Sequence, residues 1–307
     1  MSILGRRARA QNPPEGGPLD YVEPATLGEA VELLASDEAG ARPLGGGTAL
    51  MLLMKYGFLR PSRLVGLRRL TSDLGGISVN DRHELRLGAL TTLRDLELSP
   101  QVARSAPVLV EALHIVANVR VRNAATLGGH LAHGDPHQDL PPILLAMGAR
   151  AHAVGPRGSR WIPLDQLNLG YYETALEPAE LLTEVALPVQ PEGTQGSYTK
   201  FTAVSAEDWP ALGVAVFFRR DQDRLAGVRL ALSAATDTPQ RLTGVEAMLD
   251  GERPSESLFQ AAAETASSAV EPMADGGGST AYKREMIRVH VRRGLEKTMR
   301  APALGNG

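Results

Sequence analysis

Titratable side chains are concentrated in one short segment, residues 130–139. It contains His130, His133, Asp135, His137 and Asp139. Imidazole and carboxylate groups are ligands that zinc and iron take in proteins, so a metal site is one interpretation. Gly134 and Pro136 interrupt any helix that would align the histidines, which disfavours a metal. A polar surface loop and a cofactor-binding loop are the other interpretations, and all three stay open on these residues alone.

A run of three glycines offers a different chemistry. Gly45, Gly46, Gly47 and Thr48 come directly after a short strand-like run. Glycines let the backbone approach a ligand closely, and successive N–H groups in such a turn bind anions. A helix predicted over 49–56 would add its positive N-terminal end. Thr48 then either caps that helix or donates to a phosphate, and a plain strand-to-helix turn is the ligand-free alternative.

Two common nucleotide-binding motifs are absent from this glycine run. The dinucleotide fingerprint of the Rossmann fold requires a third glycine at the position where this sequence has Leu50. The phosphate loop of P-loop NTPases requires a Gly-Lys pair, and the sequence contains none. Any nucleotide held at this run is therefore bound by another arrangement.

A second glycine pair lies in the histidine-rich segment. Residues 122–139 are predicted to form a loop in which Thr126 precedes Gly128 and Gly129. The hydroxyl and the open backbone repeat the features of the first glycine run. Two such segments in one chain can hold the two phosphates of a dinucleotide from two sides.

Composition limits the classes of protein to which this chain can belong. Of 307 residues, 43% are hydrophobic and 22% are charged, which allows two or three folded domains and excludes general disorder. A formal net charge of −3 gives no reason to expect nucleic acid as a partner. Cysteine is absent, so disulfides, thiolate zinc sites and cysteine-ligated iron–sulfur clusters are excluded within this chain.

Targeting signals are not evident. Residues 1–19 are predicted to be a flexible basic arm, and its paired Arg6 and Arg7 are not followed by the apolar segment of a twin-arginine signal. The sequence also lacks a run of 18 apolar residues, so no transmembrane segment is predicted. We therefore expect a cytoplasmic protein.

The elements that position the glycine segments fall into three blocks. Residues 20–73 begin with a strand at 20–22 and a helix opened by Thr26, which has capping-box spacing to Glu29. Residues 74–188 contain a hairpin around Asn80 and Asp81, then helices and further strands.

The third block, residues 189–307, has three strands followed by three helices, which predicts a separate α+β domain. Its last helix, predicted over 281–299, carries Tyr282, Met286 and Val289 at helical spacing. We expect this apolar stripe to pack against the sheet of the block.

The glycine motifs resemble those of the FAD-binding medium subunits of molybdenum hydroxylases, the xanthine dehydrogenase and carbon monoxide dehydrogenase family. The first motif runs from Pro43 through Leu50 to Pro61, and the second from Arg122 to Pro141. Residues 87–92 match a family strand and turn between them. Further matches at 173–176, 200–201 and 282–293 extend the resemblance over nearly the whole chain past residue 20.

The resemblance implies an α+β fold with two parts. The first is an FAD-binding domain of the vanillyl-alcohol-oxidase (PCMH) type, with subdomains at 20–73 and 74–188. The second, at 189–307, is a C-terminal α+β domain of the carbon monoxide dehydrogenase flavoprotein type.

The resemblance also implies a set of residues that contact FAD through the diphosphate clamps, the adjoining strand and the flavin end of the site. These are Leu44, Gly45, Gly46, Gly47, Thr48, Ala49, Leu50, Leu87, Gly88, Ala89, Thr126, Gly128, Gly129, His130, His133, Asp135, Asp139, Leu182 and Lys200. Three positions depart from the family pattern. Ala49 replaces a common acidic residue, His130 replaces the usual asparagine, and His137 stands where small residues are usual.

The function implied is electron transfer through FAD in a larger enzyme. An iron–sulfur small subunit and a molybdopterin large subunit would be the partners, in a dimer of heterotrimers, and electrons would pass from the clusters through FAD to an acceptor that the sequence does not identify. No general base in this chain is implied, because the flavin performs the redox chemistry. A stand-alone FAD-dependent oxidase and a non-catalytic nucleotide- or metal-binding accessory protein are the alternatives.

Overall fold

The structure is a computed structural model that describes residues 19–37, 40–205 and 208–304. The predicted basic arm lies outside the described residues, apart from Leu19. Helices and strands are mixed along the chain, as the sequence predicts. Among the described residues, no helix is both long enough and apolar enough to cross a bilayer.

The first block forms a small parallel sheet with helices beside it. Its elements are β1 (Asp20–Val22), α1 (Leu27–Ala35), β2 (Ala41–Leu44), α2 (Leu50–Lys55), β3 (Arg63–Gly66) and α3 (Thr71–Leu74). The strand order is β1-β3-β2, and both pairings are parallel. Thr26 caps α1 by accepting from the N–H of Glu29, which confirms the predicted helix start. Gly57, with a φ of 71°, follows the end of α2, as predicted.

The second block forms an antiparallel sheet covered by short helices. Its elements are β4 (Ile77–Val79), β5 (Leu85–Gly88), α4 (Leu93–Leu98), α5 (Pro100–Ser105), α6 (Pro107–Leu113), α7 (Val119–Ala124), α8 (Leu127–Ala132), α9 (Leu140–Ala146), β6 (Arg150–Gly155), β7 (Gly158–Pro163), β8 (Asn168–Gly170), β9 (Glu173–Thr174) and β10 (Leu181–Leu187). The strand order of the main sheet is β4-β5-β10-β6-β7. The hairpin predicted around Asn80 and Asp81 is confirmed, with Val79 opposite Leu85.

One prediction in this block is wrong. Residues 122–139 do not form a continuous loop, because α8 lies inside the segment and α7 overlaps its start. Asn118 caps α7 and Thr126 caps α8, each by accepting from N–H groups of the first turn. These caps stabilise two helical turns despite the high glycine content.

The third block is an antiparallel sheet with helices on one face. Its elements are β11 (Thr194–Phe201), β12 (Leu212–Asp221), β13 (Arg224–Ser233), β14 (Gln240–Arg241), α10 (Thr243–Leu249), α11 (Glu256–Ala269) and α12 (Thr280–Arg300). Val214, Val216 and Phe218 face the helices, while Ala215 and Phe217 join the core of the second block. The third block therefore packs directly on the second through the other face of its sheet.

The packing face of α12 differs from the prediction. The helix packs against β11 and β12, as expected. Its buried side carries Lys283, Ile287 and Val291, whereas Tyr282 is 44% exposed. The burial of Lys283 is possible because its ammonium group donates to the carboxylate of Asp275 and to the carbonyl of Ala234. The predicted stripe of Tyr282, Met286 and Val289 therefore lies beside the most buried side, although Met286 is partly buried and packs on the core of the third block.

Candidate functional site

The two glycine segments touch each other. A Cβ on Gly45 would lie 3.0 Å from Oγ1 of Thr126, and one on Gly46 would overlap the backbone of Ala124. The loop after β2 thus lies against the junction between α7 and α8. Only glycine at position 46 allows this approach without displacement of one backbone. The sequence predicted two separate segments acting together, and the structure places them in contact.

The first glycine loop presents backbone to solvent. Gly45 is exposed, and Gly47 has a φ of 72°, a left-handed conformation that favours glycine. Ala49, and not Thr48, occupies the N-cap position of α2, and no side chain caps that helix. The alternative in which Thr48 caps the helix is therefore wrong.

Thr126 organises the second glycine segment. Its Oγ1 accepts from the N–H of Gly129 at 3.2 Å and caps α8. A hydroxyl that accepts one bond keeps its hydrogen for a further acceptor. Gly128 packs on Ala89 and donates its N–H to the Ala89 carbonyl at 2.8 Å, whereas Gly129 is exposed. The open backbone of this segment is therefore at Gly129.

Three predicted residues lie in the hydrophobic core. Leu87, Ala89 and Leu182 are 0%, 1% and 7% exposed, so their side chains are unavailable to a ligand and only backbone groups remain. Gly88, between them, borders a shallow cavity of about 400 Å³. Its lining also includes Gly75, Gly76, Arg86, Thr183 and Glu184.

Asp139 lies inside the protein, where two groups from β11 bind it. The hydroxyl of Tyr198 donates to Oδ1 at 2.8 Å, and Nζ of Lys200 donates to Oδ2 at 3.2 Å. Burial raises the pKa of Asp139 above its usual value, although Lys200 and Tyr198 oppose the shift. Lys200 also donates to the carbonyl of Ile115 at 2.9 Å. The carboxylate therefore fixes the orientation of Lys200.

His130 and His133 are neutral groups in this structure near pH 7. Burial, and then the nearby His133, lower the pKa of His130 to about 4. Within the described part of the chain, its buried Nε2 has no hydrogen-bond partner. The ring of His133 packs edge-on against Tyr172 with centroids 4.9 Å apart, and burial lowers the pKa of His133.

The remaining acidic residue of the segment is linked to the third block through His137. Asp135 is 2% exposed and accepts from the hydroxyl of Tyr172 at 2.9 Å. It also binds the ring of His137, which in turn reaches Asp275. Within residues 19–37, 40–205 and 208–304, no three histidine or carboxylate side chains form a group suited to a metal ion.

Several residues of this region were not found from the sequence. Glu97, Tyr172 and Asp275 carry no local motif, and each has a partner 25 or more positions away in the chain. Lys283 lies in the segment at 282–293 that matches the family, but its pairing with Asp275 was not predicted. Arg122 was named only as the start of the second motif. It is a buried structural residue that donates to Glu97 at 2.8 Å and to the carbonyls of Val116 and Ala117 at 2.9 Å.

The residues present fit the diphosphate of a nucleotide. Side chains at Gly45, Gly46 or Gly129 would meet Thr126 or Ala124, so glycine at these positions lets the two segments pack closely and present their backbone side by side. Exposed backbone N–H groups and a threonine hydroxyl are the neutral donors that such phosphate sites use.

Two protein-family models match the chain. The FAD binding domain in molybdopterin dehydrogenase matches residues 17–190. The CO dehydrogenase flavoprotein C-terminal domain matches residues 197–298. Together they describe an FAD-binding domain followed by a C-terminal domain, which is the two-part fold that the resemblance implied.

Relatives in sequence agree with the family models. The carbon monoxide dehydrogenase medium chain of Hydrogenophaga pseudoflava is 35% identical over 90% of this chain and 95% of its own length. The nicotine 6-hydroxylase medium subunit of Paenarthrobacter nicotinovorans is 31% identical over 89% and 94%.

Solved structures show the same fold. A chain of carbon monoxide dehydrogenase from Hydrogenophaga pseudoflava has a TM-score of 0.88 at 35% identity, covering 92% of this chain and 97% of that chain. A chain of quinoline 2-oxidoreductase from Pseudomonas putida 86 has a TM-score of 0.86 at 30% identity, covering 92% and 96%. This protein therefore belongs to the FAD-binding medium subunits of the molybdenum hydroxylase family.

Proposed function

We propose that this chain holds FAD across its two glycine segments and transfers electrons through it in a molybdenum hydroxylase. The observation that carries the proposal is the contact of Gly45 and Gly46 with residues 124–126, because it supports a single cradle built from both segments. Electrons would arrive from iron–sulfur clusters on a small subunit, since this chain has no cysteine to bind a cluster.

Different parts of the site would serve different parts of the cofactor. The backbone of Gly45, Gly46, Gly47 and Gly129 and the hydroxyls of Thr48 and Thr126 would bind the diphosphate. Residues 87–89 would border the cofactor through their backbone, and Lys200, held by Asp139, would lie near the flavin end. Bound FAD supplies the electron-accepting ring system, while the protein binds, orients and shields it.

The assembly proposed is a dimer of heterotrimers with an iron–sulfur small subunit and a molybdopterin large subunit. The related chains are named as medium chains or medium subunits, which supports the presence of a smaller and a larger partner subunit. We divide the chain into subdomains at 20–73 and 74–188 and a C-terminal domain at 189–307. We also propose a cytoplasmic location, which cell fractionation with detection of this chain would test.

An absorption spectrum of the purified chain tests FAD binding. We expect flavin bands that persist through desalting, both for the chain alone and for the chain co-purified with its two partner subunits. Bleaching of the flavin by the substrate of the complex should occur only in the joint preparation, because the substrate reacts on the large subunit. A colourless chain after incubation with FAD would contradict the proposal, and substrate turnover by the chain alone would instead establish a stand-alone oxidase.

A further inference from the structure

One imidazole joins the second and third blocks of the chain. Nδ1 of His137 lies 3.0 Å from Oδ1 of Asp135, and its Nε2 lies 2.8 Å from Oδ2 of Asp275. Both ring nitrogens must carry hydrogen to bind two carboxylates at once, and only the imidazolium does so. The geometry therefore selects the charged form of His137.

The bridge continues to a buried lysine on α12. Nζ of Lys283 donates to Oδ2 of Asp275 at 2.5 Å and to the carbonyl of Ala234 at 2.9 Å. The side chain of Lys283 is 1% exposed. Two carboxylates, one ammonium group and one imidazolium sum to zero net charge. Loss of the proton from His137 would leave a ring that can donate to only one of the two carboxylates, and the group of four would carry one net negative charge next to the buried Asp135.

The groups that face His137 come from every element packed around it. Asp135 lies in the same segment as His137, and Tyr172 donates to Asp135. The ring centroids of Tyr171 and His137 are 6.1 Å apart. Asp275 precedes α12, and Lys283 lies on it. Burial lowers the pKa of His137, but the bonds and charges of Asp135 and Asp275 outweigh it, so the pKa is raised.

The segment held by His137 also carries Asp139. The carbonyl of Pro136 accepts from the N–H of Ala234 at 2.9 Å, and that of Gln138 accepts from the hydroxyl of Ser233 at 3.0 Å. Residues 136–139 are thus attached to the third block at four successive positions. Two of these attachments involve side chains that form ion pairs, His137 with Asp275 and Asp139 with Lys200. The attachment at His137 therefore lies two residues from the aspartate that orients Lys200.

We propose that His137 is a positioning residue which, as an imidazolium, clamps residues 135–139 onto the C-terminal domain and that alkaline pH releases this clamp. The part concerning cofactor retention depends on the proposed FAD site. Raising the pH through the elevated pKa of His137 removes its charge and one of its two bonds. Acid also weakens the clamp, as the pH falls through the lowered pKa values of Asp135 and Asp275.

The clamp itself is tested on the full chain without added FAD. Selective isotope labelling of the seven histidines allows each ring to be titrated by NMR. We expect His137 to titrate above the ordinary histidine range of about 6.5, and Asp275→Asn to lower its midpoint. The NMR signal that disappears in the His137→Gln variant is the signal of His137. An ordinary midpoint for His137 that Asp275→Asn does not move would overturn the proposal.

The link to the cofactor is tested by the rate of FAD release from the loaded full chain. In the parent, release should accelerate about tenfold as His137 loses its proton, the order expected for one charge-assisted hydrogen bond. His137→Gln should release FAD rapidly at every pH, and the exposed His83→Asn should behave as the parent. Release from the parent that does not change with pH would show that the clamp does not position the cofactor. A chain that never binds FAD would fail the proposed function while leaving the NMR test intact.

Discussion

Gly46 and Ala124 are in backbone contact, so that a methyl group on Gly46 would overlap the Ala124 carbonyl. The contact joins the loop after β2 to the junction of α7 and α8. Two segments that are far apart in the sequence thereby become one surface. Because the contact involves main chain on both sides, no side-chain rotation can relieve a larger residue at position 46.

Gly46→Ala should separate the two glycine segments. We expect a loss of stability of roughly 1–3 kcal/mol, the usual cost of overpacking, together with loss of FAD on desalting. Denaturant unfolding and the flavin absorbance at equal protein concentration measure the two effects. Gly244→Ala is the matched control, since a Cβ there meets nothing within 4 Å. Retention of both stability and flavin by the Gly46 variant would show that the contact is not required.

Thr126→Ala tests whether the cap hydroxyl also serves the cofactor. Loss of the cap of α8 should reduce stability by about 1 kcal/mol. We expect FAD to bind less tightly as well, because the same hydroxyl is proposed to face the diphosphate. Ser255→Ala removes the equivalent cap of α11, where Ser255 accepts from the N–H of Leu258 at 3.1 Å. Equal FAD affinities in the two variants would restrict Thr126 to a structural role.

Glu97 should be essential for the stability of the segment before α7. It is 6% exposed and binds Arg94, His114 and Arg122. Burial alone would raise the pKa of Glu97. The bonds from its three partners have the larger combined effect and lower the pKa to about 2. Glu97→Gln leaves the buried Arg122 without a charged partner, so we expect a loss of roughly 3–5 kcal/mol.

Urea unfolding at neutral pH measures that loss. The exposed Glu285, which pairs with Arg288, provides the control, and Glu285→Gln should leave the free energy of unfolding almost unchanged. Because the pKa of Glu97 is lowered, its stabilisation is present above the ordinary glutamate range and disappears as the pH falls towards 2. Equal effects of the two substitutions would contradict the structural role of Glu97.

His130→Asn should make the protein less sensitive to acid. In the unfolded chain His130 takes up a proton near pH 6.5, whereas in the folded chain its pKa of about 4 keeps it neutral. Stability of the parent therefore falls as the pH drops from 6.5 towards 4, by at most about 1.4 kcal/mol per pH unit for this one proton. The variant should lack that slope. The free energy of unfolding, measured at pH 7 and pH 5, compares the parent with the variant, and the exposed His83→Asn is the control. If the parent and His130→Asn lost the same stability between these pH values, a group other than His130 would be responsible.

Local sequence signals predicted most elements because short-range interactions specify them. The Thr26 cap and the turn at Asn80 are examples, since each involves bonds between residues at most four positions apart. The missed helices α7 and α8 had such signals too, in the caps Asn118 and Thr126. The glycine and histidine content of the segment obscured them.

The inward face of α12 was not accessible to the same reasoning. Lys283 has the sequence character of a surface residue, and its burial is favourable because Asp275 and the carbonyl of Ala234 accept hydrogen bonds from its ammonium group. The apolar stripe therefore missed the most buried side of the helix, although Met286 does pack on the core and the helix packs on the sheet as predicted.

The sequence by itself determined the glycine segments, their order and the family to which they belong, because glycine content and motif order are properties of the chain. The tertiary structure decided that Gly46 meets Ala124 and that Asp139 holds Lys200. It also decided that His137 finds Asp275, 138 positions away. Backbone preferences act over a few residues, whereas the partners and burial of a charged side chain depend on which distant elements the folded core brings together.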